Sequence, residues 1–174
     1  RRRAGGFYDD SRGLRYMPPR FFIKLGDYDG GLKYVKWFYK NFPDDAGFPD
    51  FLFECTVIPF KTNNLLSAEK KAFKTYCSNT YIFDKFFDRQ IIPIDKYEFS
   101  NTDIPEFADY FKYSCKQTDL VDFGNWLDNF TQTEKFARAS QEFIEIHKRL
   151  NTEKDTESRR QLIRQARQLE ELFG

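Results

Sequence analysis

A chain of 174 residues suits one domain with a real core. Its 28 basic against 27 acidic side chains, a net charge of +1, exclude the strongly basic footprint of a dedicated nucleic-acid binder, whose affinity comes largely from phosphate neutralisation. Twenty-one Phe, ten Tyr and two Trp, 19% of the residues, exclude disorder and leave rings to divide between a core and a partner-facing surface.

Residues 1–26 read as an extended, basic arm in which Met17-Pro18-Pro19 forbids a helix, and residues 27–174 as a helical-hairpin domain. The arm carries five aromatics, Phe7, Tyr8, Tyr16, Phe21 and Phe22. These are the candidate partner-binding residues, because aromatic anchors concentrate binding energy at interfaces. The opening Arg1-Arg2-Arg3-Ala4-Gly5-Gly6 has the Arg-rich, acid-poor signature of a processed mitochondrial leader; a truncated N-terminus would look the same.

Asp29 then opens "GGLKYVKWFYKNF", with Leu32, Val35, Phe38 and Tyr39 at helical spacing, and Pro43 stops it. Pro49-Asp50 starts a second apolar run, ending near Pro59. Ser67 caps a third helix, and Glu69 in its first turn complements the dipole. Asn79 or Thr80 starts "YIFDKFFDRQI", whose stripe of Ile82, Phe83, Phe86 and Phe87 is predicted to lie buried between hairpins, and Ile92-Pro93 ends it. Asp103 with Glu106 reads as a capping pair for "EFADYFKYSC", with Pro105 in the tolerated first turn. Thr118 or Asp119 starts "LVDFGNWLDNF", and Thr131 with Glu134 forms a T-x-x-E box for a helix to about Leu150. A last helix runs from about Thr152 to Phe173, its apolar positions Leu162, Ile163, Ala166, Leu169 and Leu172. Alternation is never sustained, so no strand is predicted.

The caps Asp29, Ser67 and Asp103 lie 38 and 36 positions apart, each opening a pair of short helices. That beat predicts an all-α fold, a short α-solenoid of helical hairpins. An irregular helical bundle would give the same spacing. No apolar run approaches the ~20 residues of a membrane-spanning helix; the greasiest stretch, 48–60, is broken by Asp50, Glu54 and Pro59.

Catalytic signatures are missing: there is no G-x-x-x-x-G-K-[ST] loop, no G-x-G-x-x-G and no H-E-x-x-H. The single histidine, His147, sits beside Lys148 and Arg149 and reads as a surface residue. Asp44-Asp45 falls in a Pro/Gly turn and reads as solvated. Cys55, Cys77 and Cys115 are odd in number and widely spaced, which points to a reducing compartment with no disulfide framework or zinc site. Arg159, Arg160, Arg164 and Arg167 share part of a helix face with Glu157, Glu170 and Glu171 nearby, the pattern of a solvated surface. The expectation is a non-enzyme with no catalytic residue, no cofactor and no metal.

"FDKFFDRQIIPIDKYEF" resembles the end of one pentatricopeptide repeat and the start of the next: an aromatic second helix, a hydrophobic-Pro turn, then a polar position before Tyr or Phe. "NFPDDAGFPDFLFE" resembles the same junction, and the likeness covers about residues 29–130. It departs from the family in spacing, since Pro49 and Pro93 are 44 positions apart instead of roughly thirty-five. The glycine usual before the turn is Gly47 in one copy and Gln90 or Ile91 in the other. Pentatricopeptide proteins bind single-stranded RNA through long arrays; about three units carry no base-reading residue over, so the resemblance implies architecture more than RNA. Size, the Arg-led start, the helix pairs and the Phe-rich character are also similar to the accessory subunit that euglenozoan protists attach to the F1 head of mitochondrial ATP synthase. That resemblance implies a non-catalytic structural subunit held on the F1 α subunit, at the matrix side and peripheral to the inner membrane, in an assembly that couples proton transport to ATP synthesis. The alternative is an RNA-associated helical-repeat protein, such as a mitochondrial ribosomal component, using the Arg159 to Arg167 face.

Overall fold

The computed structural model describes residues 13–173, and every regular element among them is helical. A 3-10 turn (Leu14–Tyr16) leads directly into α1 (Pro18–Leu25). The extended arm expected over residues 1–26 is therefore not what residues 13–26 form; Phe7 and Tyr8 lie outside the described residues. Pro18 and Pro19 start a helix where they were expected to forbid one, because the first helical positions have no intrahelical acceptor to lose and proline's fixed φ suits them. Gly26 (φ 68°) takes the left-handed position that ends α1.

Next come α2 (Tyr28–Asn41), α3 (Pro49–Lys61) and α4 (Leu65–Ser78). The N-cap of α2 is Asp27, whose carboxylate accepts from the Gly30 amide at 2.9 Å. That of α4 is Asn64, accepting from Ser67. The predicted caps Asp29 and Ser67 lie inside the first turns, since residues two or three positions earlier reach the free amides. Helix α1 packs on α2 and α3, α2 on α3, and α3 on α4. This is the neighbour scheme of a solenoid with units α1/α2 and α3/α4. Pro18 and Pro49, 31 positions apart, open the two units, so the first unit begins inside the supposed arm. Helix α3 is the centre: residues 51–59 are all buried, as a helix apolar on every face must be. Gly31 lets α2 approach it, because a Cβ there would sit 3.0 Å from Ile58 and 3.1 Å from Phe22.

The regular beat stops after α4. Helix α5 (Ile82–Phe86) is only five residues long. Phe83 and Phe86 are buried as expected, while Phe87 is half-buried. Asp88, in the left-handed region (φ 57°), ends the helix. Residues 89–98 then run extended, so Pro93 makes no hairpin junction. The same residues that disfavour helix around Pro93 suit an extended strap equally well; its tertiary partners decide. The Ile94 amide donates to the Tyr81 hydroxyl at 3.0 Å, the Tyr97 amide to the His147 carbonyl at 2.9 Å, and Asn151 to Asp95 at 2.7 Å. The first two satisfy backbone amides that a helix would have paired internally, and the third pins the strap to α8 by side chains.

Helix α6 (Pro105–Ala108) is a single turn, and Asp103 does not cap it. Its carboxylate accepts from the Phe99 amide and the Ser100 hydroxyl, both at 2.9 Å, so the third beat is absent. Three longer helices follow: α7 (Val121–Thr131), α8 (Glu134–Thr152) and α9 (Thr156–Glu170). The cap of α8 is Thr133 instead of Thr131, whose hydroxyl donates back to Asp128 within α7. Asp155 caps α9, which starts later than the predicted Thr152. Helices α8 and α9 pair, both lie on α4, and α7 joins α3 to α8. Most rings are used inside: Phe53 meets Phe86, Phe111 and Phe123 at centroid separations of 4.8–5.4 Å, and Phe73 meets Phe136 and Phe173.

Candidate functional site

Of the arm's described aromatics, two turn inward. The Tyr16 ring packs edge-on against Phe48 and Phe51, and its hydroxyl donates to Asp45 at 2.8 Å. Asp45 also pairs with Arg15 at 2.9 Å and accepts from the Gly47 amide, so this carboxylate is a structural clamp on the 43–47 loop and not the solvated group its turn composition implies. Phe22 packs on Tyr34. Phe21 alone stays outside, 46% exposed. It belongs to an exposed row: Met17, the N-cap of α1, Phe21 and Leu25 are spaced four and four on one side of the helix, and Leu14 in the preceding 3-10 turn is exposed as well. The opposite face of α1 buries Pro19 and Ile23.

A second surface lies between α2 and α4, which flank α3 and leave a groove of about 340 Å³ between them. Leu32, Val35 and Tyr39 of α2 line it with apolar surface at one-turn spacings. Its charged lining consists of Lys36 from α2 and Lys70, Lys71 and Lys74 from α4. None of the four makes an ion pair among the described residues. Glu170 of α9 is within electrostatic reach of Lys74 but beyond pairing distance. The Lys71 ammonium lies 3.6 Å from the centroid of the Tyr39 ring, a cation–π contact. Burial, reinforced by Lys74 and Lys70, lowers its pKa to about 8, against the opposing pull of Cys55. The Tyr39 hydroxyl is buried beside the Cys55 thiol and has no nitrogen or oxygen partner among the described residues.

No family model, curated protein or solved structure matches this chain.

Elsewhere the polar groups serve the fold. Glu54 of α3 is 4% exposed and accepts from the Tyr113 hydroxyl at 2.7 Å. Burial pushes its carboxyl up to about 8, against the pull of that hydrogen bond and of Arg20. His147 is buried, not on the surface as its Lys-Arg neighbours suggested. Its Nδ1–H donates to the Tyr97 carbonyl at 2.9 Å, a tautomer fixed by that acceptor, and its ring lies 4.2 Å from that of Phe143. Burial lowers its pKa. The arginine face is divided: Arg159 donates to the carbonyls of Leu150 and Glu153 and covers the Tyr97 ring, and Arg160 pairs with Glu157. All three cysteines are free. Burial holds the Cys55 thiol up at about 12 and Cys77 well above its usual value, which suits packing and not nucleophilic chemistry. Among the described residues no three His, Cys, Asp or Glu side chains come together as a metal-holding group, and no helix is long and apolar enough to cross a membrane.

Proposed function

We propose that this chain is a non-catalytic structural subunit that docks on a large mitochondrial assembly, the F1 head of ATP synthase, by contact with the α subunit. The assembly as a whole would carry out proton-driven ATP synthesis, with this subunit at the matrix side. The observation that carries the docking part is the exposed row Leu14, Met17, Phe21 and Leu25 on the first hairpin. Each of these side chains, partly exposed now, would contribute on the order of 1–2 kcal/mol on burial against a partner. Support for the F1 head as partner comes from the resemblance in helix pairs and Phe-rich character. The RNA alternative has less behind it, since Arg159 is committed to backbone carbonyls of its own chain.

The test is native purification with mass spectrometry of the co-eluting chains, repeated with Phe21→Glu/Leu25→Glu. The reading expects F1 α and β subunits at fixed stoichiometry with the parent chain. It expects release of the double variant, which keeps its helical circular dichroism because both positions face solvent. Retention of the variant at parental stoichiometry would remove the row as anchor; co-elution with ribosomal RNA would replace the F1 reading.

A further inference from the structure

We propose that the groove between α2 and α4 receives an acidic amphipathic helix from a protein partner. This rests on the reading of the chain as a protein-docking subunit and supplies a second, chemically distinct contact. The groove runs along residues 32–39 of one wall and 64–74 of the other, roughly 10–15 Å, which matches two to three turns of a third helix laid between them.

The lining states what that helix must carry. Leu32, Val35 and Tyr39 offer an apolar track, which suits the apolar stripe of an amphipathic helix. Lys70 and Lys74 stand one turn apart on one wall and Lys36 stands on the other, and all three lack a carboxylate partner among the described residues. Carboxylates three or four positions apart on the flanks of the incoming helix would face them at the same pitch. The apolar track would supply affinity, while the lysines would steer encounter and reject basic or neutral helices.

Other anions fit less well. A single-stranded nucleic acid gains affinity by stacking bases on open aromatic faces, and a face of Tyr39 is taken by the Lys71 ammonium at 3.6 Å. Phosphates would also leave the apolar track without a partner. A fatty acyl anion brings one charge per chain to four amines.

The test uses the full chain and a fluorescein-labelled peptide of about 16 residues, ~24 Å when helical, with Leu along one face and Glu on both flanks. Fluorescence anisotropy should show saturable one-to-one binding, weakened roughly tenfold or more by Lys70→Glu/Lys74→Glu, where like charges face each other. A scrambled peptide of the same composition should bind much more weakly. Circular dichroism of the double variant checks that it is folded, and Lys36→Glu provides an independent variant on the other wall. Equal binding by the charge-reversed chains, or equal binding of the scrambled peptide, overturns the proposal. So does stronger competition from single-stranded RNA or from phosphatidylglycerol vesicles than from unlabelled peptide. These outcomes are separable from those of the subunit reading. A charge-reversed chain that still co-purifies with F1 alongside a failed peptide assay removes the groove alone. Peptide binding by a chain that co-purifies with no assembly removes the F1 reading alone.

Discussion

Replacing Glu54 by Gln isolates one buried ionisation. The carboxyl lies in the centre of α3, 4% exposed, with Tyr113 donating to Oε1 at 2.7 Å. Burial raises its pKa from 4.5 to about 8, so the folded state holds a proton that the unfolded chain releases between those two values. Stability from this group is fully present below pH 4.5 and is lost as pH rises through 8. At ~1.4 kcal/mol per pH unit the loss reaches about 5 kcal/mol as an upper bound, and water entry or local relaxation would reduce it to ~2–3 kcal/mol. Gln keeps the Oε1 acceptor for Tyr113 and cannot ionise. Urea unfolding followed by circular dichroism at pH 4, 6.5 and 9 should therefore give similar stabilities for Glu54→Gln and the parent at pH 4, below the unfolded value of 4.5, and a gap that opens through pH 6.5. The variant should be the more stable by ~2–5 kcal/mol at pH 9. Taking the difference between the two chains removes other titrations. These include Lys71, whose lowered pKa of about 8 acts the opposite way, adding stability as pH rises from 8 towards 10.5. Parallel pH profiles for the two chains would refute the reasoning, because they would mean that Glu54 ionises in the folded state as freely as in the unfolded one.

Two further outcomes follow from packing. Phe86→Ala removes a fully buried ring that touches Phe53 and Phe123, and chemical denaturation should show a loss of ~3–5 kcal/mol; a loss under 1 kcal/mol would mean the site collapses. Deleting residues 1–26 removes α1 with its buried Ile23 and Pro19 and the Tyr16–Asp45 clamp. Thermal melting should fall by on the order of 10–20 °C, and an unchanged melting temperature would return these residues to the role of a dispensable arm.

The sequence carried the helices whose signals are local. Proline at the first position of α3, the apolar spacing of Leu32, Val35 and Phe38, and the start of α8 within two residues all follow from short-range chemistry. Helix α1 is masked in the sequence because Pro18-Pro19 breaks a helix interior yet suits its first turn, by the same asymmetry that starts α3 at Pro49. The strap at 89–98 was not readable, because Ile92-Pro93 permits a turn or an extended run, and the Tyr81 hydroxyl and the His147 carbonyl that select the latter are 13 and 50 residues from their partners. Among the candidate aromatics, hydrophobicity cannot separate Phe21 from Phe22: successive helical positions lie ~100° apart, and here that turns Phe21 to solvent and Phe22 onto Tyr34. The lysine groove was masked by averaging. A net charge of +1 conceals four lysines from two helices that only the tertiary packing of α2 and α4 around α3 brings together.

The most direct measurement takes the whole assembly, strips the membrane sector, washes the soluble head at high salt and treats it with nuclease. Attachment through the apolar row and the apolar track of the groove is not weakened by moderate salt, whereas exposed ion pairs are screened beyond ~8–10 Å and phosphate-driven binding weakens steeply. The chain should co-migrate with the F1 α and β subunits at fixed stoichiometry through both treatments; its release as a monomer, or its recovery with ribosomal RNA, would contradict the account.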